Sequence, residues 1–269
     1  MASTMTTSKI TKERIEKYLA EGKRFDGRKL EDFRDLKIET GISKNAEGSA
    51  KVTLGDTEVI VGIKMNVGAP YPDSADSGNM MVTAELLPLS SPRYESGPPK
   101  FPAIELGRVL DRAIRESKFI DLKELCIVEG EKVWTIFIDV YSLNDDGNLL
   151  DAAGIGIVAA LKTAKIPKYD SEKGKVHFGE WTDENIPLSK EVPLSITAHK
   201  LGEYLILDPT KEEEDLCETR ITIGSANGSI SSMQKGNLEP LKIEEMEKAI
   251  DLVDNAYGVI FKKIEEQLK

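Results

Sequence analysis

Residues 134–161 constrain the fold more than any other stretch of the chain. They open on Trp134, Ile136, Phe137, Ile138, Val140 and Tyr141, an aromatic and β-branched run that suits a strand, and pass through the turn pair Asp146 and Gly147. An apolar, alanine-rich tract then runs to Leu161. Asp151 is placed to cap that tract as a helix, because its carboxylate can accept from the free amides of a first turn. Strand, tight turn and helix start together make an anion site, since unpaired amides and the helix dipole both favour negative charge there. Yet Asn148, Leu149, Leu150 and Asp151 put two leucines on the lip and a carboxylate at the mouth, and no Arg or Lys falls between Trp134 and Leu161. A phosphate would meet a like charge. The stretch reads as the scaffold of an anion site without the site.

A strand and helix of this kind need further layers around them, and 269 residues with 40% hydrophobic content supply a substantial core. The charge balance is 36 Lys+Arg against 47 Asp+Glu, a net −11. Such a surface repels nucleic acid on average, so contact with it has to come from a local basic stripe or from a partner. Cys126 and Cys217 lie far apart without metal-ligand spacing, and His177 and His199 add no cluster. These facts argue against structural zinc, a disulfide framework or any other metal site, and suit a reducing compartment. The first ten residues lack the apolar core of a signal peptide, and the tract 152–161 is too short and glycine-broken to span a bilayer. A soluble cytoplasmic protein with no membrane contact is expected.

Along the chain, residues 12–20 have a short helical pattern with Ile15 and Leu19 on one side and Gly22 as its stop. A charged turn follows from Arg24 to Arg28. Strand patterns occupy 36–38, 50–54 and 58–63, the last two joined as a hairpin through Gly55 and Asp56. Another strand covers 80–87, and Pro92, Pro98, Pro99 and Pro102 make 90–102 irregular. A helix is predicted over 103–119. The polar segment 166–191 is the best internal boundary. Beyond it, strands at 194–198 and 204–207 turn near Gly202, strands at 219–223 and 229–234 flank Asn227 and Gly228, and a long helix covers 242–268. The Leu-Gly-acid triplets at 54–56 and 201–203 echo each other. The pattern predicts an α/β fold of two pseudo-repeated β-sheet-plus-helix halves packed together. Its parts are an N-terminal helix and arm (1–30), a first half (31–166), a linker region (167–192) and a C-terminal half with the long terminal helix (193–269).

Three features could carry chemistry. Arg108, Arg112 and Arg115 stand at i, i+4 and i+7 of the helix over 103–119, so their guanidinium groups share one stripe. Such a stripe can grip phosphodiester oxygens bidentately. It can equally be a solvated face laced by Glu105, Asp111 and Glu116, and on spacing alone the solvated face is the commoner outcome. Gly154, Gly156 and Ala159 match a dinucleotide fingerprint, but the first glycine falls inside the helix rather than at the strand-to-helix turn, so close helix packing explains them better. The acidic run 211–215 reads as a solvated turn rather than a metal site, because consecutive acids point in different directions.

Several stretches taken together resemble the RNase PH family, and most closely its non-catalytic ring branch in archaeal exosomes. They are Arg24, Phe25, Asp26, Gly27, Arg28 and Lys29; Ala46 to Ala50 with Leu54 and Gly55; Glu85 to Leu89; Gly97 to Pro99; Ile104 to Leu106 with Arg108, Asp111 and Arg112; and Trp134 to Tyr141. They span nearly the whole chain in order. The resemblance implies two similar halves packed face to face. Active members carry out phosphorolysis, in which inorganic phosphate attacks the last 3′ phosphodiester of RNA and releases a nucleoside diphosphate. They hold that phosphate with a Gly-Thr-Arg turn, which here aligns with Asn148, Leu149 and Leu150, and they use an Asp in the second half that aligns near Arg220, where no carboxylate stands in register.

The resemblance therefore implies a chain with no catalytic residues and no cofactor. It implies a hetero-hexameric ring, three copies each of this chain and a catalytic RNase PH-like partner, with RNA-binding cap subunits on one face. Arg108, Arg112 and Arg115 become contacts for single-stranded RNA, and Asn148, Leu149, Leu150 and Asp151 a degenerate phosphate site. The rivals are an autonomous phosphate-dependent exoribonuclease, a nucleotide-dependent enzyme built on Gly154 and Gly156, and a purely structural ring member.

Overall fold

A computed structural model describes residues 7–268, so the first six positions of the N-terminal segment lie outside the described residues. Helix α1 (Lys9–Ala20) is capped by Ser8, whose Oγ accepts from the Thr11 amide at 3.1 Å. Its buried Ile15 and Leu19 pack on Leu201, Ile206 and Leu216, each burial contributing roughly 1.5–3 kcal/mol.

The first sheet contains β1 (Leu36–Thr40), β2 (Gly48–Leu54), β3 (Thr57–Gly68), β4 (Asn79–Leu86), β5 (Cys126–Val128) and β6 (Lys132–Asn144), in the order β1-β2-β3-β6-β4 with β5 on β6. Every pair is antiparallel except β4 with β6. Parallel neighbours need a long crossover, and helix α2 (Phe101–Glu116) provides it. This helix starts two residues before the expected Ala103 and ends short of Phe119. Pro102 opens it rather than closing the irregular segment, because a first-turn proline lacks only an amide that has no intrahelical partner. Along β3 every second residue from Thr57 to Met65 is buried, the pattern of a strand with one face against a core.

Helix α3 (Leu149–Thr163) is buried all round from Asp151 to Leu161, as a helix with no polar face must be. It lies between the two sheets. The second is β10-β9-β11-β12, built from β9 (Leu194–Leu201), β10 (Tyr204–Leu207), β11 (Thr219–Ala226) and β12 (Ser229–Gly236). Thr197 of β9 bonds Asp151 of α3, whereas Lys200 pairs with Glu245 of α5 (Ile243–Gln267) at 2.8 Å. Odd positions of β9 thus face α3 and even positions face α5. Gln267 at the end of α5 donates to Leu36 O (2.9 Å) and accepts from Ile38 N (2.8 Å), so its amide imitates a strand and closes the β1 edge.

The hairpin echo holds in backbone geometry: Gly55 and Gly202 both take φ +58 at the first position of a two-residue turn, where a glycine is favoured. Strand order differs between the halves. In the first, the second hairpin strand (β3) sits inward beside β6; in the second, the first strand (β9) sits inward beside β11. A short helix α4 (Lys211–Asp215) follows β10, and residues 165–185 form a separate two-stranded sheet of β7 (Lys165–Asp170) and β8 (Lys175–Asn185). Among the described residues no helix is long and apolar enough to cross a membrane.

Candidate RNA face and the seam around helix α3

Asn148, not Asp151, is the N-cap of α3. Its φ of 58° and ψ of 39° are left-handed, a region that asparagine enters more readily than most residues. Asp151 is the third residue of the helix, and its buried carboxylate reaches across to the other half. It accepts from Thr197 Oγ1 (2.8 Å), the Thr197 amide (3.2 Å) and Asn148 Nδ2 (3.1 Å). The Thr197 hydroxyl in turn shares a hydrogen bond with Thr222 of β11 at 3.0 Å. Burial pushes the Asp151 carboxyl up to about 7, against the pull of the Thr197 and Asn148 donors.

Two amides just ahead of the helix already face carboxylates of this chain. The Asn148 amide donates to Glu214 at 3.2 Å, and the Gly147 amide to Asp145 at 3.2 Å. Leu149 and Leu150 pack against the core as half-buried residues. The carboxylate expected at the mouth, that of Asp151, turns instead to Thr197, and the one that accepts the Asn148 amide is Glu214, which arrives from α4 with no local signal.

The acidic run 211–215 is not a solvated turn. Glu213 is buried against Arg24, which also donates to Leu207 O (2.8 Å) and Asp208 O (2.7 Å). Lys211 bridges Glu214 (2.7 Å) and Asp145 (3.0 Å), and Arg93 grips Asp215 at 2.6 Å. Asp208 lies beneath, held by Arg34 Nη2 (2.7 Å), Arg34 Nε (2.9 Å), the Arg34 amide (2.8 Å), Arg28 (3.1 Å) and Asn148 (2.9 Å). Burial alone would raise the Asp208 carboxyl; the Arg34 hydrogen bonds outweigh it and hold it below the usual range. Arg24 to Arg28 is the expected charged turn, with the Gly27 amide donating to Arg24 O at 3.0 Å and residues 25–27 exposed, but Arg24 itself is buried and clasps the N-terminal arm to the second half. No His, Cys, Asp and Glu group among the described residues is arranged to hold a metal.

His199, two positions along β9 from Thr197, is buried with neither ring nitrogen partnered. Burial drives its pKa down to about 3, helped by nearby Arg220, so the ring is neutral. Arg220 of β11 pairs with Glu105 of α2 at 2.9 Å. Gly156 is a packing glycine: a Cβ there would stand 2.8 Å from Val61 Cγ2.

On the outer face of α2 the three stripe arginines are exposed, but unequally engaged. Arg115 is tied to Asp111 (2.7 Å) and to Met80 O (2.9 Å). Arg112 has one long hydrogen bond to Gln234 at 3.3 Å. Arg108 has no hydrogen bond or ion pair among the described residues. The acids expected to lace the stripe are divided: Glu105 is taken by Arg220 and Asp111 by Arg115.

Two sheets enclosing a buried helix whose N-terminus faces a polar seam define a protein of the RNase PH fold class. Profiles of the RNase PH, or 3′ exoribonuclease, family match residues 32–167 as domain 1 and residues 191–252 as domain 2. The chain belongs to this family. It is 49% identical over 245 residues to the exosome complex component Rrp42 of Methanosarcina acetivorans, covering 90% of this chain and 89% of that one. It is 47% identical over 269 residues to the Rrp42 component of Thermococcus onnurineus, covering 99% and 98%. A solved structure described as an Archaeoglobus fulgidus exosome with RNA bound to the active site superposes with TM-score 0.86 at 39% identity, over 94% of this chain and 97% of that one. An archaeal exosome core superposes with TM-score 0.84 at 36% identity, over 95% and 96%.

Proposed function

We propose that the chain is the non-catalytic ring subunit of an archaeal exosome-type, phosphorolytic 3′-to-5′ exoribonuclease that degrades and processes RNA in the cytoplasm. It alternates with a catalytic RNase PH-like partner, three copies of each, beneath RNA-binding cap subunits. The observation that carries the reading is the start of α3, where Glu214 and Asp145 accept the Asn148 and Gly147 amides and Leu150 stands at the arginine position. Asn148, Leu149, Leu150 and Asp151 form a degenerate phosphate site, and the chain has no activity alone. Arg108 and Arg112 guide the RNA backbone with donors that have few competing partners, and Arg115 joins them by exchanging part of its Asp111 pair. Contacts of this kind bring little sequence preference and strong salt sensitivity. In domain terms, the N-terminal helix and arm (1–30) is tied through Arg24 to the C-terminal half (193–269), and 167–192 links that half to the first (31–166).

The test is RNA decay with inorganic phosphate, run on this chain alone, the catalytic partner alone and the mixture. Shortening confined to samples that contain the partner, and enhanced in the mixture, is expected. Phosphate-dependent shortening by this chain alone would overturn the reading.

A further inference from the structure

The hairpin β7–β8, within the segment that links the halves, gives two large aromatic side chains to solvent. Phe178 is 60% exposed and Trp181 38%. A two-stranded sheet has little stability of its own, and this one is anchored beside its turn. There Val176 is buried in the core and Tyr169 meets the Trp134 ring edge-on at 5.8 Å. The aromatic end has no such cover. Pro167 is opposite Trp181 while Lys168 is opposite His177, so residues 178–180 bulge from the ladder, with Gly179 turning at φ +84.

The surroundings of these rings are negative. Glu180, Asp183 and Glu184 are all exposed. Glu180 pairs with Lys168 at 3.1 Å, but Asp183 and Glu184 have no ion pair among the described residues. The Phe178 ring already takes a cation from within the chain: the Lys64 ammonium stands 5.0 Å from its centroid while bonded to Glu47 at 2.7 Å. Finally, β8 pairs only with β7, which leaves its outer edge without a strand partner among the described residues.

We propose that this acid-rimmed aromatic bulge is a docking surface for a protein partner presenting a short, extended segment rich in lysine or arginine. The segment lies along the free edge of β8 and places its cations over the Phe178 and Trp181 rings and beside Asp183 and Glu184. RNA is the wrong chemistry for the site, because its phosphates would face the acids.

Trp181 is the exposed member of the chain's two tryptophans, Trp134 being buried, so its fluorescence reports occupancy. The full chain is titrated with a synthetic peptide alternating lysine with valine, with the same peptide carrying glutamate for lysine, and with single-stranded RNA, and affinities are checked by calorimetry. Saturable binding of the lysine peptide alone is expected. It should weaken about fivefold to tenfold when Asp183→Asn is combined with Glu184→Gln, as for the loss of two partly exposed ion pairs. A control neutralising exposed acids of α5, Glu247→Gln with Asp254→Asn, should bind as the parent does. Absence of saturable binding overturns the proposal. So does an equal loss in the α5 control, which would mark attraction to the net charge of −11 alone, and so does an RNA response at Trp181.

Discussion

Arg34 and Arg108 carry the same group into opposite surroundings. Arg34 is 8% exposed, and its guanidinium donates to Asp208, Asp146, Gly147 O and Pro209 O at 2.7–3.3 Å. Arg108 stands on the outer face of α2 with its donors unspent. The seam around α3 engages Arg24, Arg28 and Arg34 with carboxylates of this chain, whereas Arg108 on α2 has no such partner among the described residues. Removing a buried partner should therefore cost far more than removing an exposed one. Arg34→Met leaves Asp208 buried with only Arg28, Asn148 and the amide of residue 34, and should lower unfolding stability by about 3–5 kcal/mol in a urea titration. Arg108→Met should stay within about 0.5 kcal/mol of the parent. Equal losses at the two positions would break the contrast.

The α2 face is probed in the opposite currency, by ligand affinity at constant stability. In a ring reconstituted with the catalytic partner, Arg108→Glu with Arg112→Glu should weaken RNA binding by about tenfold per lost contact, the magnitude of a charge-assisted hydrogen bond. It should also flatten the salt dependence by about 0.7 in slope for each phosphate released. The melting temperature should not move. Arg115→Gln should have a smaller effect on RNA, because Asp111 and Met80 O already hold its guanidinium. RNA affinity indifferent to the double reversal would leave α2 a solvated surface.

Much of this contrast was legible in residue order, and the remainder was not for physical reasons. The strong periods of β3 and α2 and the continuous apolar tract of α3 mark elements because burial imposes them on neighbouring residues. The strand, turn and helix start around Asn148 were visible as well, since residues 134–161 are contiguous. The clasp was invisible: Arg24 finds Glu213 across a separation of 189 residues, and neither residue carries a local sign of burial. For the same reason the run 211–215 looked solvated, as its charge pattern says nothing of the arginines waiting opposite. The N-cap was misplaced by three residues because asparagine and aspartate are capping types of equal strength, and only the backbone separates Asn148 from Asp151. The β7–β8 hairpin lacks an alternating pattern because both faces of β8 are largely wet.

The seam also makes a pH prediction of its own, which the α2 face does not share. Asp151 is raised from 3.8 to about 7, so between those values the folded chain keeps a proton that the unfolded chain has released. Its contribution is complete below about pH 4 and is lost as pH rises through 7. His199 is lowered from 6.5 to about 3, so over that span the unfolded chain binds a proton that the folded chain refuses. Its contribution is complete above about pH 6.5 and is lost as pH falls toward 3. The two proton differences have opposite sign and cancel between about pH 4 and 6.5, so this pair leaves stability flat there. Single variants uncover the slopes. Asp151→Asn should make stability rise with pH, by up to roughly 1 kcal/mol per pH unit across that window, and His199→Gln should make it fall by a similar amount. Denaturant titrations at several pH values measure both; parallel curves for the parent and the two variants would mean that neither group changes its proton on folding, and the seam would then be held by geometry without the charge balance inferred for it.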